Sequence, residues 1–492
     1  MLFNSYIFMI FLPAVLFIYY GLRYLNRHEA AKLALFAASV IFYAYNHPAY
    51  SFLLLGSIAC NYLLYRGMEA AGSSTLQRRY LRKGLLILGI LLNLGVLFYF
   101  KYYDFFLENV NAVFRTDFNL RHILLPLGIS FFSFQQLSFV IDAYRGEVKD
   151  YSLLDYSLYV SFFPQLVAGP IVLHKELIHQ FADPVRHRVR LDYMTVGLRY
   201  FVMGLFKKVM VADRFGYIVS AGHVYPFQRD TVGTILVIVG YTLQIYFDFS
   251  GYSDMAIGLG KMFGFDIPVN FNSPYKSVTI ADFWSRWHMT MTRFFTQYLY
   301  IPLGGSRKGL VRTCINVLIV FSVSGLWHGA AWNFVLWGLM HGIAQVLYRI
   351  FKKTADRIPK VLMAFGTFVF VNLAWVLFRA ESLGQVVRIG KCLLAGGFSG
   401  NNTDLYMAFL GDAPKLLLEN ICYSAEWESV LAVIVTLLGF ALALAVVFWA
   451  PSTHEIAYRE KVCRFEGVFW AVMLFVCLMS FANVSTFLYF NF

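Results

Sequence analysis

Apolar runs of roughly 20 residues, the length a helix needs to cross the hydrocarbon of a bilayer, recur along the whole chain. The clearest cover 6–25, 84–100, 231–247, 312–327, 361–378, 430–450 and 468–482. Counting weaker ones, about eleven to thirteen segments are long and apolar enough to be membrane helices. Two stretches, 124–141 and 284–303, are interrupted by Pro, Gly, Gln and charged residues, which predicts broken or re-entrant helices. Irregular backbone is tolerated at membrane depth only where protein or a water-filled cavity surrounds it. These interrupted segments therefore point toward the working centre of an all-α polytopic membrane protein.

Composition strengthens that picture. With 59% hydrophobic and 14% charged residues over 492 positions, the chain is too apolar for an ordinary soluble domain. Residues 1–20 have an apolar core, no preceding basic residue and no small-residue cleavage site, which predicts a retained first helix. Arg23, Arg27 and Lys32 follow it, and the positive-inside rule places that loop in the cytoplasm, with Arg78, Arg79, Arg82 and Lys83 as a second cytoplasmic loop. The net charge of +13 does not indicate nucleic acid, because the basic residues sit in short loops between spans. Topology and anionic lipid headgroups account for it. The six cysteines show no CxxC pair and no regular spacing, which argues against a disulfide framework and a zinc site.

No linker or internal repeat divides the chain, so residues 1–492 are expected to form one membrane domain, with its polar motifs concentrated in 122–342. Residues 381–429 are predicted to form an extramembrane loop, and the mixed polar and apolar stretch 406–427 a short interfacial helix suited to partner docking.

Ionisable groups inside apolar segments cost roughly 2.5–3.5 kcal/mol on insertion scales, so each needs a partner or a task. They concentrate between Tyr246 and His341. In the run 246–254, helical spacing puts Asp248 with Tyr252, and Ser250 with Asp254, on common faces. These carboxylates are satisfied locally or by Arg286 or Arg293, or else line the path of a polar substrate. In the run 282–288, a continuous helix would stack Trp284 one turn from His288 and send Arg286 elsewhere; an imidazole between two indoles is partly desolvated and held neutral. His328 follows a long apolar run, beside Trp327 and bracketed by Gly325 and Gly329, where backbone or substrate can approach closely. A ring that titrates near neutrality suits a general base there. No metal-ligand set, nucleophile elbow or phosphate-binding loop accompanies it, so the nucleophile is expected to be a substrate hydroxyl. An unbroken helix would put His341 roughly 20 Å from His328 on nearly the opposite face, which predicts a structural role unless the helix breaks at Gly329.

The blocks Phe283-Trp-Ser-Arg-Trp-His288 and Gly325-Leu-Trp-His-Gly329, forty positions apart, resemble the signature of the membrane-bound O-acyltransferases (MBOATs). Further blocks, at 126–135, 142–146, 162–170, 247–254, 300–305 and 378–380, are similar to the bacterial alginate O-acetyltransferase branch. This resemblance implies His328 as the catalytic residue and His288 as its partner, within a ring of helices around a thinned centre where two funnels meet. The ending Phe487-Leu-Tyr-Phe-Asn-Phe492 resembles an aromatic motif of the same branch, which implies Tyr489 as a transient acyl carrier. A phenolic ester is a competent acyl donor, though an aromatic belt at the interface would use the same residues.

The activity implied is transfer of an acetyl group, from acetyl-CoA or an acyl-carrier thioester in the cytoplasm, for O-acetylation of a cell-surface or extracellular polysaccharide. Location in the bacterial inner membrane, a partner acetyltransferase on the outer side and an acyl carrier protein are the corresponding expectations, with no nucleic acid and no metal. Trp284, Trp327, Asp248, Asp254 and Arg286 are candidates to line the substrate path or to hold the fold. The alternatives are D-alanyl transfer to teichoic acid, and a polysaccharide or acyl transporter without chemistry, which would also need broken helices and buried charges.

Overall fold

A computed structural model describes residues 1–72, 75–183, 186, 188–224, 230–397, 402–411, 425–459, 465–481 and 487–488. Among them all regular structure is helical. Six helical stretches among the described residues are long and apolar enough to cross a membrane: Tyr6–Tyr24, Leu76–Phe114, Thr231–Met262, Gly309–His328, Lys360–Arg379 and Trp427–Trp449. Other long helices carry more polar residues along faces packed against neighbours.

The chain forms two compact units, one of residues 1–201 with 253–269, the other of 202–252 with 270–492. The first holds α1 (Tyr6–Tyr24), α2 (His28–Ala44), α3 (Pro48–Ala71), α4 (Leu76–Leu97), α5 (Tyr103–Phe114), α6 (Ile129–Arg145), α7 (Leu153–Ser161), α8 (Phe163–Leu166) and α9 (His174–Ala182). Local chemistry starts several of them: the hydroxyls of Ser5, Thr75 and Ser152 accept from the backbone N–H three residues on, at the heads of α1, α4 and α7. The interruption predicted at 124–141 lies ahead of the helix rather than inside it. Gly128 turns the chain at φ +74, where a Cβ would come within 2.6 Å of the Leu166 carbonyl, and α6 then runs unbroken. Its polar residues are paired inside the unit: Asn61 Nδ2 donates to Gln136 Oε1 at 2.6 Å, and His174 lies 3.3 Å from the buried Asp142 carboxylate.

Helix α10 (Leu191–Phe206) and helix α12 (Thr231–Met262) each contribute to both units; α11 (Asp213–Val224) lies between them in sequence. The second unit continues through α13 (Ile280–Arg286), α14 (Met289–Phe295), α15 (Gly309–His328), α16 (Trp332–Ile350), α17 (Lys352–Ala355), α18 (Lys360–Arg379), α19 (Leu383–Ala395) and α20 (Thr403–Leu410). It ends with α21 (Ala425–Trp449), α22 (Thr453–Ala457) and α23 (Glu466–Met479). Within the stretch predicted as an extramembrane loop with a helix at 406–427, the described residues carry α19 and α20, and α20 buries Leu405, Tyr406 and Leu410. Apolar residues recur on one face of α20 and pack into the protein, a periodicity obscured by the glycine-rich stretch before it. Residues 412–424 lie outside those described.

Candidate active site

The site is built around the hairpin of α15 and α16. A Cβ on Gly325 would lie 2.3 Å from the Phe334 carbonyl, and one on Gly338 would lie 2.2 Å from the Phe321 carbonyl. The two helices cross with backbone nearly against backbone, which only small residues permit. Helix α15 stops at His328, Gly329 is extended (φ −158, ψ 147), and α16 begins at Trp332. Its N-terminus is tied to the end of α18, where Asn333 Nδ2 donates to the carbonyls of Leu377 at 3.2 Å and Ala380 at 2.6 Å.

This break overturns the unbroken-helix geometry for His341. The chain reverses, and the Trp337 ring lies between the two histidines, 5.1 Å from His328 and 4.9 Å from His341. The fully buried His341 accepts a hydrogen bond at Nδ1 from Trp284 Nε1 at 3.2 Å. His341 thus belongs to the wall of the same aromatic chamber as His328, rather than to a distant face.

His328 is 4% exposed, with rings of Trp327, Trp337 and Phe378 at 4.9, 5.1 and 5.2 Å. His288 lies 6.4 Å away, centroid to centroid. It arrives by a route the helical pattern concealed. Helix α13, capped by the Thr279 hydroxyl, ends at Arg286; Trp287 is extended, and His288 takes the left-handed conformation (φ 45, ψ 51) as N-cap of α14. Trp284 and His288 therefore do not stack along one helix: the first turns to His341, the second to His328. Arg286 pairs with Asp282 at 2.7 Å.

Asn270 is the residue that sequence reasoning missed. Its Oδ1 faces His288 Nδ1 at 3.1 Å and accepts from the Thr290 N–H at 3.2 Å and the Thr290 hydroxyl at 2.9 Å. Since Thr290 N–H can only donate, the amide oxygen faces this cluster, and His288 Nδ1 is the donor to it. The neutral His288 ring then carries its lone pair on Nε2. Phe249 of α12 packs edge-on against the imidazole at 4.8 Å. Nothing in spacing or periodicity marks Asn270, which lies 18 residues from His288 in a loop.

Asp248 is partnered by neither Arg286 nor Arg293 but by Lys208, at 2.7 Å, and Lys208 also contacts Asp213 at 2.8 Å. Asp254, also buried, falls in the first unit. Tyr489 lies outside the described residues.

A cavity of about 290 Å³ lies beside the hairpin, with Ser324 of α15 and Trp284, the partner of His341, in its wall. Arg349 and Tyr300 line one part of it, Gln345, Thr292 and Thr296 add polar groups, and Trp284, Met291 and Ser324 are among its other lining residues. Ser324 stands one helical turn before His328. Because α15 and α16 are antiparallel, Arg349 near the end of α16 shares a side with the basic start of α15.

The model of the family described as "MBOAT, membrane-bound O-acyltransferase family" matches residues 88–384. A "Peptidoglycan O-acetyltransferase" of Helicobacter pylori is 36% identical over 100% of this chain and 98% of its own length. A "Probable alginate O-acetylase AlgI" of Pseudomonas aeruginosa is 39% identical over 81% of this chain and 75% of its own. A "Teichoic acid D-alanyltransferase" of Bacillus subtilis is 26% identical over 52% of this chain and 69% of its own. With this likeness spanning the histidine chamber and the helices that build it, the chain belongs to the membrane-bound O-acyltransferase family and is a multi-pass membrane O-acyltransferase.

Proposed function

We propose that the chain moves an acetyl group from a cytoplasmic thioester donor, acetyl-CoA or an acylated carrier protein, across the bacterial inner membrane for O-acetylation of a cell-envelope polysaccharide. The observation that carries this reading is the His328–His288 pair, 6.4 Å apart among packed aromatic rings, with Ser324, one helical turn before His328, in the wall of a cavity with polar and basic lining. The thioester enters along the wall bearing Arg349 and Tyr300 and stops beside Ser324. His328 takes the proton of the attacking hydroxyl, the hydroxyl oxygen adds to the thioester carbonyl, and the departing thiolate recovers the proton from the imidazolium. Acyl ester and free thiol are the products. His288, its Nδ1 proton engaged by Asn270, orients the reacting groups. The Gly329 N–H already donates to the Gly325 carbonyl at 3.4 Å, so it is not our choice as an oxyanion donor.

Acetyl is favoured over D-alanyl because the O-acetylating relatives match at 36–39% identity over 81% of the chain or more, against 26% over about half. Two acceptors stay in view. The first reading is an alginate-like exopolysaccharide; peptidoglycan is the second, favoured by the relative aligned over the full chain. The hydroxyl that attacks belongs to the sugar, to an outer-side partner acetyltransferase, or to Tyr489 acting as relay.

The test is ester-linked acetate, released by mild base from purified peptidoglycan and from extracellular polysaccharide, at matched membrane levels of each variant. His328→Ala is expected to lower it at least ~100-fold, the usual contribution of a general base. His288→Asn keeps a side chain that tolerates the left-handed backbone and is expected to lose activity with the fold intact. Full acetylation in His328→Ala would remove the catalytic assignment and bring the transporter reading forward.

A further inference from the structure

The buried charges around Asp248 have no task in the chemistry above, and the contacts they make assign them one. Lys208 and Asp248 are 1% and 3% exposed at their side chains. Lys208 Nζ donates to Asp213 Oδ1 at 2.8 Å and Asp248 Oδ1 at 2.7 Å. One ammonium thus faces two carboxylates, and each buried carboxylate oxygen needs a donor. The second oxygen of Asp248 receives one: Leu488 N–H donates to Oδ2 at 3.0 Å. The residue before it is held too. The Phe487 ring is 1% exposed, lies 4.7 Å beneath the Lys208 ammonium and stands at 90° to the Tyr252 ring, 4.8 Å away. Asp248 and Tyr252, one turn apart on α12, therefore grip consecutive residues of the same segment.

We propose that Lys208, Asp213, Asp248 and Tyr252 form a latch for the 487–488 segment, with Asp248 as a positioning residue that holds it by its backbone. The recognition has two parts. A carboxylate accepts an N–H whatever the side chain, and the ammonium with the phenol ring selects an aromatic residue just before it. The latch is also tied to the histidine chamber through α12: Phe249, the residue after Asp248, packs on His288 at 4.8 Å. For acyl transfer the consequence rests on the function proposed above, in which Tyr489, the next residue in sequence, carries the acyl group.

Hydrogen–deuterium exchange on the full chain in lipid nanodiscs tests the latch without any assay of activity. In Asp248→Asn the Lys208–Asp213 contact is kept, the amide oxygen goes to Lys208 and an NH₂ group faces Leu488 N–H. Exchange at the Leu488 amide is expected to rise at least ~10-fold, with α12 and α15 unchanged. Equal protection in wild type and variant overturns the latch. A second pair leaves the charged cluster untouched: Leu488→Pro deletes the N–H and Leu488→Ala keeps it. Base-labile acetate in purified peptidoglycan and extracellular polysaccharide is expected to fall at least ~10-fold for the proline variant and to stay within about twofold for the alanine variant. The same result in both variants overturns the positioning role. If His328→Ala retains acetylation while the Leu488 amide still depends on Asp248, the proposed function fails and the latch stands.

Discussion

His288 carries a backbone conformation that costs a non-glycine residue about 1–3 kcal/mol, and such strain persists only where surrounding structure over-determines it. Two hydrogen-bond anchors do so here: Met289 N–H donates to the Asn270 carbonyl at 3.0 Å, and the Asn270 side chain joins His288 to Thr290. The left-handed turn is what aims the ring at His328 instead of along a helix. Asn270→Ala is expected to lower kcat for acetyl transfer ~10-fold with the KM for the thioester donor nearly unchanged, because one neutral hydrogen bond worth about 1–1.5 kcal/mol selects the tautomer. Steady-state kinetics in nanodiscs checks this; a rise in KM alone would place Asn270 in donor binding. The residue types His288 and His328 were legible as chemistry, since a titratable ring in an apolar run demands a task. Asn270 was not, because an amide in a loop carries no periodicity and its partner is 18 positions away.

At the scale of elements, the hairpin of α15 and α16 decides which histidines meet. Its close crossing depends on Gly325 and Gly338, whose Cα atoms leave no room for a methyl group. Gly338→Val places a branched side chain against the Phe321 carbonyl and is expected to destabilise the protein by about 1–3 kcal/mol, as overpacking does. It should also lower acetyl transfer by displacing Trp337 from its place between His328 and His341. Thermal unfolding in detergent, followed by Trp fluorescence, measures the first effect; an unchanged midpoint would mean that the helices separate without cost. The sequence suggested that glycines here permit close approach, and the structure shows what approaches: the partner helix at Gly325, and the Phe334 ring at Gly329, where a Cβ would lie 2.1 Å from it. The break at Gly329 itself was visible only as a condition. Gly329 adopts an ordinary extended conformation, so no intrinsic backbone preference forces a stop there; the docking of Asn333 on the end of α18 does.

For the whole molecule, charge and helix direction together predict an orientation in the membrane. Arg307, Lys308 and Arg312 at the start of α15, and Arg349, Lys352 and Lys353 at the end of α16, fall on one side because the hairpin is antiparallel. The positive-inside rule predicts that side to be cytoplasmic, which would turn the Arg349 wall of the cavity toward the donor of the proposed function. An impermeant maleimide is expected to react with single cysteines placed at Lys308 or Lys353, in an otherwise cysteine-free chain, only after the inner membrane is opened. Labelling of both in intact spheroplasts would reverse the topology and the direction of transfer. What the sequence determined by itself was the solvent, the all-helical class, the family and the two histidines worth following. Each rests on local properties: segment length, apolar content, and rare polar residues in ordered blocks. What only the tertiary structure decided was partnership, namely His288 with Asn270, Trp284 with His341, and Asp248 with Lys208 and Leu488. In an apolar interior most buried polar atoms find a partner, but which one depends on how distant helices are folded together, and no local pattern encodes that distance.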